Sequence, residues 1–195
     1  MEELEIEFKN LLDYATYEQL KTELFESAPV ITQTNFYIDT NQYDLKSHKC
    51  ALRIRDNGVS KVMTLKIPQA IGIMEYTGEI DERIIDQEYI EQRFVPANID
   101  AQLKRMNIPD NALRIFGALS TERREIKYQS GLLVLDASYY LDTSDYELEF
   151  EVSNFEEGQA EFNAFLEHYN IEKCETISKV QRFYNHYQML TSKIL

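Results

Sequence analysis

Charge recurs at every second position in several short stretches of this chain. Those stretches hold the residue types that handle phosphate and metal. Glu3, Glu5, Glu7 and Lys9 alternate with Leu4, Ile6 and Phe8. Arg53 and Arg55 alternate with Leu52 and Ile54, and Lys66 follows Thr64-Leu65. Glu75 and Glu79 flank Thr77, Arg123 and Lys127 share one parity, and Asp136 follows Leu135. Glu147, Glu149 and Glu151 alternate with Leu148 and Phe150. A guanidinium binds phosphate through a planar fork with two parallel hydrogen bonds, and an ammonium adds point charge. Carboxylates suit hard divalent cations such as Mg2+ or Mn2+. Taken singly, each stretch reads as the solvated face of a strand. One ligand that needs both signs accounts for all of them together.

The elements that must position these residues follow from the same period. Successive side chains of a strand point to opposite faces. The first charged stretch is therefore a strand with an apolar underside, and the apolar pattern at Leu20, Leu24 and Phe25 predicts a covering helix that ends before Pro29. Residues 30–39 are rich in β-branched and aromatic side chains and read as a strand, followed by a polar connection anchored by Leu45. Asn57-Gly58 predicts a tight hairpin between strands at 51–56 and 61–67, both turn residues taking positive φ. Another strand is expected at 73–81, and two short helices broken at Pro96 over 86–107. Strands resume at 113–129, 132–136 and 146–152, with turns at Ser130-Gly131 and around 142–145. Two helices, at 155–169 and 177–190, complete the chain. Strands joined by short turns favour an antiparallel sheet over βαβ units.

Composition narrows the function. The chain has 195 residues, 44% of them hydrophobic, which suits one folded domain. The net charge of −14 argues against a nucleic-acid polymer as partner and against an anionic membrane. There is no apolar run of transmembrane length and no signal-like start. Cys50 and Cys174 make no disulfide framework, so a cytoplasmic location is expected. His48, His168 and His186 are scattered and read as surface positions. Tyr139, Tyr140 and Tyr146 read as packing, and Asn35 and Asn41 as turn or edge residues.

If the sheet curls into a barrel of about eight strands, its interior has room for side chains or one small ligand. Charged faces turned inward then need partners, because an uncompensated buried charge costs several kcal/mol, roughly 3–5 when one partner is missing. A polyphosphate with divalent cations satisfies both signs.

The motifs that carry these charges also resemble a known family. Glu5-Ile6-Glu7-Phe8-Lys9 has the ExExK signature of the CYTH domain, the triphosphate tunnel metalloenzymes. Phe36-Tyr37-Ile38-Asp39-Thr40, Ala51-Leu52-Arg53-Ile54-Arg55, Thr64-Leu65-Lys66, Leu135-Asp136, Glu147-Leu148-Glu149 and Ser178-Lys179 follow in the family's order. ExExK alone is a weak signal, whereas the ordered set is strong and covers nearly the whole chain. The resemblance implies an α+β fold: an eight-stranded antiparallel β-barrel, or tunnel, with helices outside. Residues 1–195 are then a single domain. It implies Lys9, Arg53, Arg55, Lys66, Arg123 and Lys179 as phosphate-binding groups, Lys179 on a closing C-terminal helix. It implies Glu5, Glu7 and Glu149 as metal ligands with Asp136 and Glu147 close by, and the candidates to orient or deprotonate the catalytic water are Lys66 or a carboxylate at either Glu75 or Glu79. The chain departs from the family in having Thr121-Glu122-Arg123 where many members have Lys-x-Arg, with Arg124 on the opposite face.

The function expected is metal-dependent hydrolysis of a small triphosphate, with Mg2+ or Mn2+ as cofactor. An adenylate cyclase of the same family, making cyclic AMP from ATP, is the second reading; no adenine pocket is legible. A polyphosphate- or nucleotide-binding module without turnover is the third. The physiological triphosphate and the oligomeric state, a homodimer included, stay open.

Overall fold

Period-two patterning yields eight strands, and they close on themselves. The computed structural model describes residues 1–174 and 176–192. The strands are β1 (Glu2–Leu12), β2 (Ile31–Asp39), β3 (Ala51–Asp56), β4 (Lys61–Pro68), β5 (Ile73–Glu79), β6 (Arg114–Tyr128), β7 (Gly131–Tyr140) and β8 (Thr143–Val152). Their order is β1-β5-β4-β3-β2-β6-β7-β8 in a closed barrel. The ladders from β2 to β5, from β6 to β8, and from β1 to both β5 and β8 are antiparallel. The helices are α1 (Tyr14–Glu23), α2 (Asp44–Ser47), α3 (Ala97–Arg105), α4 (Phe155–His168) and α5 (Lys179–Ser192). Among the described residues no helix is long and apolar enough to cross a membrane.

The chain divides into two compact parts. The first comprises Met1–Glu5 and Gln33–Leu119. Here Ile38, Leu52, Ile54, Met63 and Leu65 project from one face of β2, β3 and β4, and they pack against Ile99 and Leu103 of α3, Leu45 of α2 and Ile84. All of these are buried. Side chains of opposite parity on the same strands, Arg53, Arg55, Thr64 and Lys66, are left for the other face.

The second part comprises Ile6–Thr32 and Ser120–Leu195. Leu133, Leu135, Leu148 and Phe150 of β7 and β8 pack against Tyr17 and Leu20 of α1 and against Phe162, Phe165 and Leu166 of α4. Asp13 caps α1 by accepting a hydrogen bond from the Thr16 amide at 2.7 Å, and Asn154 caps α4 through the Glu157 amide at 3.0 Å. Buried Asn10 ties the segment before α5 to β1. Its Nδ2 donates to the Glu172 carbonyl at 3.0 Å, and its Oδ1 accepts from the Cys174 amide at 2.7 Å.

Local details depart from the sequence expectations. The Asn57-Gly58 turn is a four-residue loop over 57–60, closed by the Asn57 amide on the Ser60 carbonyl at 3.3 Å. Only Gly58 takes positive φ, at 79°, because the Asn57 carboxamide accepts the Val59 and Ser60 amides and stabilises a wider turn. Residues 86–107 form one α-helix after Pro96, preceded by 3-10 turns at Glu82–Asp86 and Gln92–Phe94. The turn expected around 142–145 lies at Leu141-Asp142, with Leu141 at φ 52°. Asn35 is neither turn nor edge: it is buried in mid-strand, where its Oδ1 accepts the Arg55 Nε at 3.1 Å.

Candidate active site

Each compact part carries its own set of paired charges, built on facing strand positions. In the first part Lys66 of β4 stands directly across from Glu75 of β5, so both side chains leave on one face. The Lys66 ammonium pairs with Glu75 and also donates to Glu5 Oε2 of β1 at 2.6 Å. Burial pushes the Glu75 carboxyl up. Lys66, Arg53 and a hydrogen bond with Glu5 outweigh that push and hold it below its ordinary value. Arg53 lies across from Thr64, and Thr64 lies across from Thr77, with their hydroxyls 3.2 Å apart. Glu79, across from Val62 at the end of β5, is exposed and stands outside the Glu5–Lys66–Glu75 set.

In the second part the ladder puts Lys9 across from Glu149, Asp136 across from Glu147, and Arg123 across from Asp136. Arg123 forks onto Asp136, Nε to Oδ1 at 2.9 Å and Nη2 to Oδ2 at 2.7 Å, and reaches Glu149 Oε2 at 2.7 Å. Lys179, the first residue of α5, extends its ammonium into three carboxylates. It lies 2.5 Å from Glu149 Oε1, 2.9 Å from Asp136 Oδ2 and 3.4 Å from Glu147 Oε2. Lys9 pairs with Glu7.

These charges set one another's protonation. Burial pushes Glu149 up, yet Lys179, Arg123 and Lys9 hold it well below the usual carboxylate range. Burial and the neighbouring Glu149 charge leave Glu147 raised, against the pull of Lys179, Arg182 and Lys9. Burial pulls Lys179 and Lys9 down, and the surrounding carboxylates more than reverse it in both. The second set is therefore a buried network in which each cation touches at least one acidic side chain.

Two members were not legible as site residues. Arg182, one turn after Lys179, donates from Nε to Asp145 Oδ2 at 2.8 Å and from Nη1 to the Ile177 carbonyl at 2.7 Å, and it also pairs with Glu147. Tyr140 donates to the same Asp145 oxygen at 2.8 Å. The three-residue spacing of Lys179 and Arg182 on one helical face was the available signal. Arg124 donates instead to the Tyr17 hydroxyl on the α1 side, at 3.3 Å, and Lys127 is exposed.

The donor chemistry bears on the expected metal. Among the described residues no group of three or more His, Cys, Asp or Glu is arranged to hold a metal ion by itself. Asp136, Glu147 and Glu149 converge on the Lys179 ammonium instead. Yet Glu147 Oε1 is buried with no hydrogen-bond partner, which leaves one carboxylate oxygen of this set for a cation. An all-oxygen donor set fits a hard divalent ion.

Comparison with known proteins follows the same motifs. The CYTH domain matches residues 3–184. A Bacillus subtilis protein named "Putative triphosphatase YjbK" is 36% identical over 184 residues, covering 94% of this chain and 95% of that protein. The crystal structure of a Bacillus halodurans protein, described as a putative adenylate cyclase, has a TM-score of 0.85 at 32% identity, over 94% of this chain and 98% of that one. The structure of HpAC1 from Hippeastrum, described as having a dominant triphosphatase activity, has a TM-score of 0.71 at 22% identity, over 95% and 96% of the two chains. With an ExExK strand, an RxR strand, a closed antiparallel barrel and a family match over nearly its whole length, the chain belongs to the CYTH domain family.

Proposed function

We propose that this chain is a metal-dependent triphosphatase acting on a small linear triphosphate. The observation that carries the reading is the buried network of acidic and basic side chains around Glu149, in a member of the CYTH family that is 36% identical to a protein named as a triphosphatase. We further propose that residues 1–195 work as one domain, that the protein is cytoplasmic, and that neither a nucleic-acid polymer nor a membrane is its partner.

In this reading Arg53, Arg55, Lys66, Lys9, Arg123 and Lys179 bind phosphate oxygens. Glu5, Glu7, Asp136, Glu147 and Glu149 would hold Mg2+ or Mn2+. When bound, such an ion supplies Lewis acidity toward phosphate oxygens and lowers the pKa of water. The protein's own contribution is positioning and charge neutralisation, which is most of what phosphoryl transfer asks of a protein. Lys66, held by Glu5 and Glu75, is set to donate to an oxygen that gains charge as a phosphoanhydride bond breaks. Glu75, kept ionised, is the acceptor nearest to it for a proton from water.

Adenylate cyclase activity is the second reading, favoured by the description of the Bacillus halodurans structure. One experiment separates them. The protein is incubated with Mg2+ or Mn2+ and either tripolyphosphate or ATP, and free phosphate and cyclic AMP are both measured. Phosphate release from tripolyphosphate supports the triphosphatase. Cyclic AMP from ATP without phosphate release from tripolyphosphate overturns it.

A further inference from the structure

Arg114, the first residue of β6, belongs to none of the charged sets above. Its neighbour Ile115 packs on the apolar core of the first part, beside α3. Arg114 and Phe116 therefore leave the strand on the opposite face. Phe116 lies nearly parallel to Tyr37, with ring centroids 6.2 Å apart and planes 20° apart. Tyr37 stands directly across from Arg53 in the β2–β3 ladder, and facing residues project to the same side. Arg53, Tyr37, Phe116 and Arg114 thus share one strand face within the first part.

The two arginines on this face have a second property in common. The Nε atoms of Arg53 and Arg114 are both buried, and both lack a hydrogen-bond partner among the described residues. Arg123 and Arg182, by contrast, are forked onto carboxylates. The chain holds 34 acidic residues, yet no ion pair to either Arg53 or Arg114 is formed among the described residues. A guanidinium does not lose its proton in a protein, so a buried Nε donor cannot be silenced by titration. A bound oxyanion would satisfy both donors, because the delocalised cation fork matches the geometry of phosphate oxygens.

We propose that Arg114 is a further phosphate-binding residue, acting with Arg53 on one strand face to hold an oligophosphate. The inference deepens the triphosphatase reading and rests on it for the ligand class. The Tyr37–Phe116 ring pair on the same face carries no charge, so the anion's charge is left to the two guanidinium groups.

Calorimetric titration with tripolyphosphate in the absence of metal tests this on wild type, Arg114→Gln, Arg114→Lys and the exposed control Arg93→Gln. The expected result is at least a tenfold rise in Kd for Arg114→Gln and a smaller rise for Arg114→Lys, which keeps charge but loses the fork. Arg93→Gln keeps the wild-type Kd. The melting temperature of ligand-free Arg114→Gln stays equal or rises, because an unpartnered buried donor has been removed; a structural arginine would lower it. A Kd within twofold of wild type for Arg114→Gln overturns the proposal. If that variant fails to fold, Arg114→Lys decides by the same criterion. Wild type that binds tripolyphosphate without hydrolysing it leaves Arg114 supported and overturns the enzymatic reading alone. Wild type that does not bind tripolyphosphate overturns both.

Discussion

Lys179 and Arg182, one turn apart on α5, share a single oxygen of Glu147. The Lys179 ammonium lies 3.4 Å from Glu147 Oε2, and Arg182 Nη2 donates to that same atom. Two cations on one carboxylate oxygen couple the start of α5 to β8. Residues with a shared partner depart from additivity by about 0.5–3 kcal/mol. The double variant Lys179→Met/Arg182→Ala should therefore differ from the sum of its single variants by an amount in that range. Denaturant unfolding of the four proteins measures it, and additivity within experimental error would show that the shared oxygen couples nothing.

Glu149→Gln keeps the volume of the side chain and removes its charge. Arg123 and Lys179 then lose a buried counter-ion, which costs about 3–5 kcal/mol of stability. Turnover should fall at least as far as the roughly 10–100-fold loss seen when an outer partner of a metal site is removed. Thermal unfolding and phosphate release report the two effects, and wild-type activity at saturating Mg2+ and Mn2+ would remove Glu149 from the site.

The acid limb of stability should respond in opposite directions to two neighbouring substitutions. Glu149 has a folded pKa well below its ordinary 4.5, because Lys179, Arg123 and Lys9 overcome its burial. Its stabilisation is present above pH 4.5 and is lost as pH falls through the folded value. Glu147 is raised, by burial and by Glu149, so its contribution is present below its ordinary value and is lost as pH rises through the folded one. In chelator, Glu149→Gln should flatten the loss of stability on acidification, and Glu147→Gln should steepen it. Equal slopes in the two variants would contradict the assignment.

Triphosphate should raise the melting temperature of the wild type clearly, and orthophosphate much less. A ligand that binds only the folded state stabilises it by about 2.7 kcal/mol at a hundredfold excess over Kd. Arg53→Ala should reduce the shift more than Arg53→Lys, since lysine keeps the charge without the fork. Equal triphosphate shifts in wild type and Arg53→Ala would exclude Arg53 as a phosphate ligand.

Strand periodicity made much of this legible. Alternation alone put Arg53, Arg55 and Lys66 opposite the Leu52, Ile54 and Leu65 core, and it put Arg124 on the α1 side. It also contained a clue that was missed, since Asn35 has the parity of Tyr37 and lies across from Arg55. Arg114 could not be found that way. At the start of β6 the odd-numbered Ile115 faces the helix-side core, whereas further along the even-numbered Ile126 and Tyr128 do. Counting back from Arg123 by twos reaches Ile115 rather than Arg114, so the period of the charged stretches did not point to it. Arg182 escaped for a different reason. Its partners Asp145 and Glu147 are fixed by how α5 docks, which no local period records.

Asn10 gives the loop before α5 a hold of a different kind from that of the charges around it. It sits next to Lys9, yet it grips the backbone at Glu172 and Cys174 with a neutral carboxamide. Such a clasp neither titrates nor weakens as salt screens charge. Raising ionic strength should leave the tether at Asn10 unchanged, and it should weaken the buried pairs of Lys179 and Arg182 far less than exposed pairs. A polyanion competing for those two cations would act on α5 while the chain ahead of it stays moored to β1.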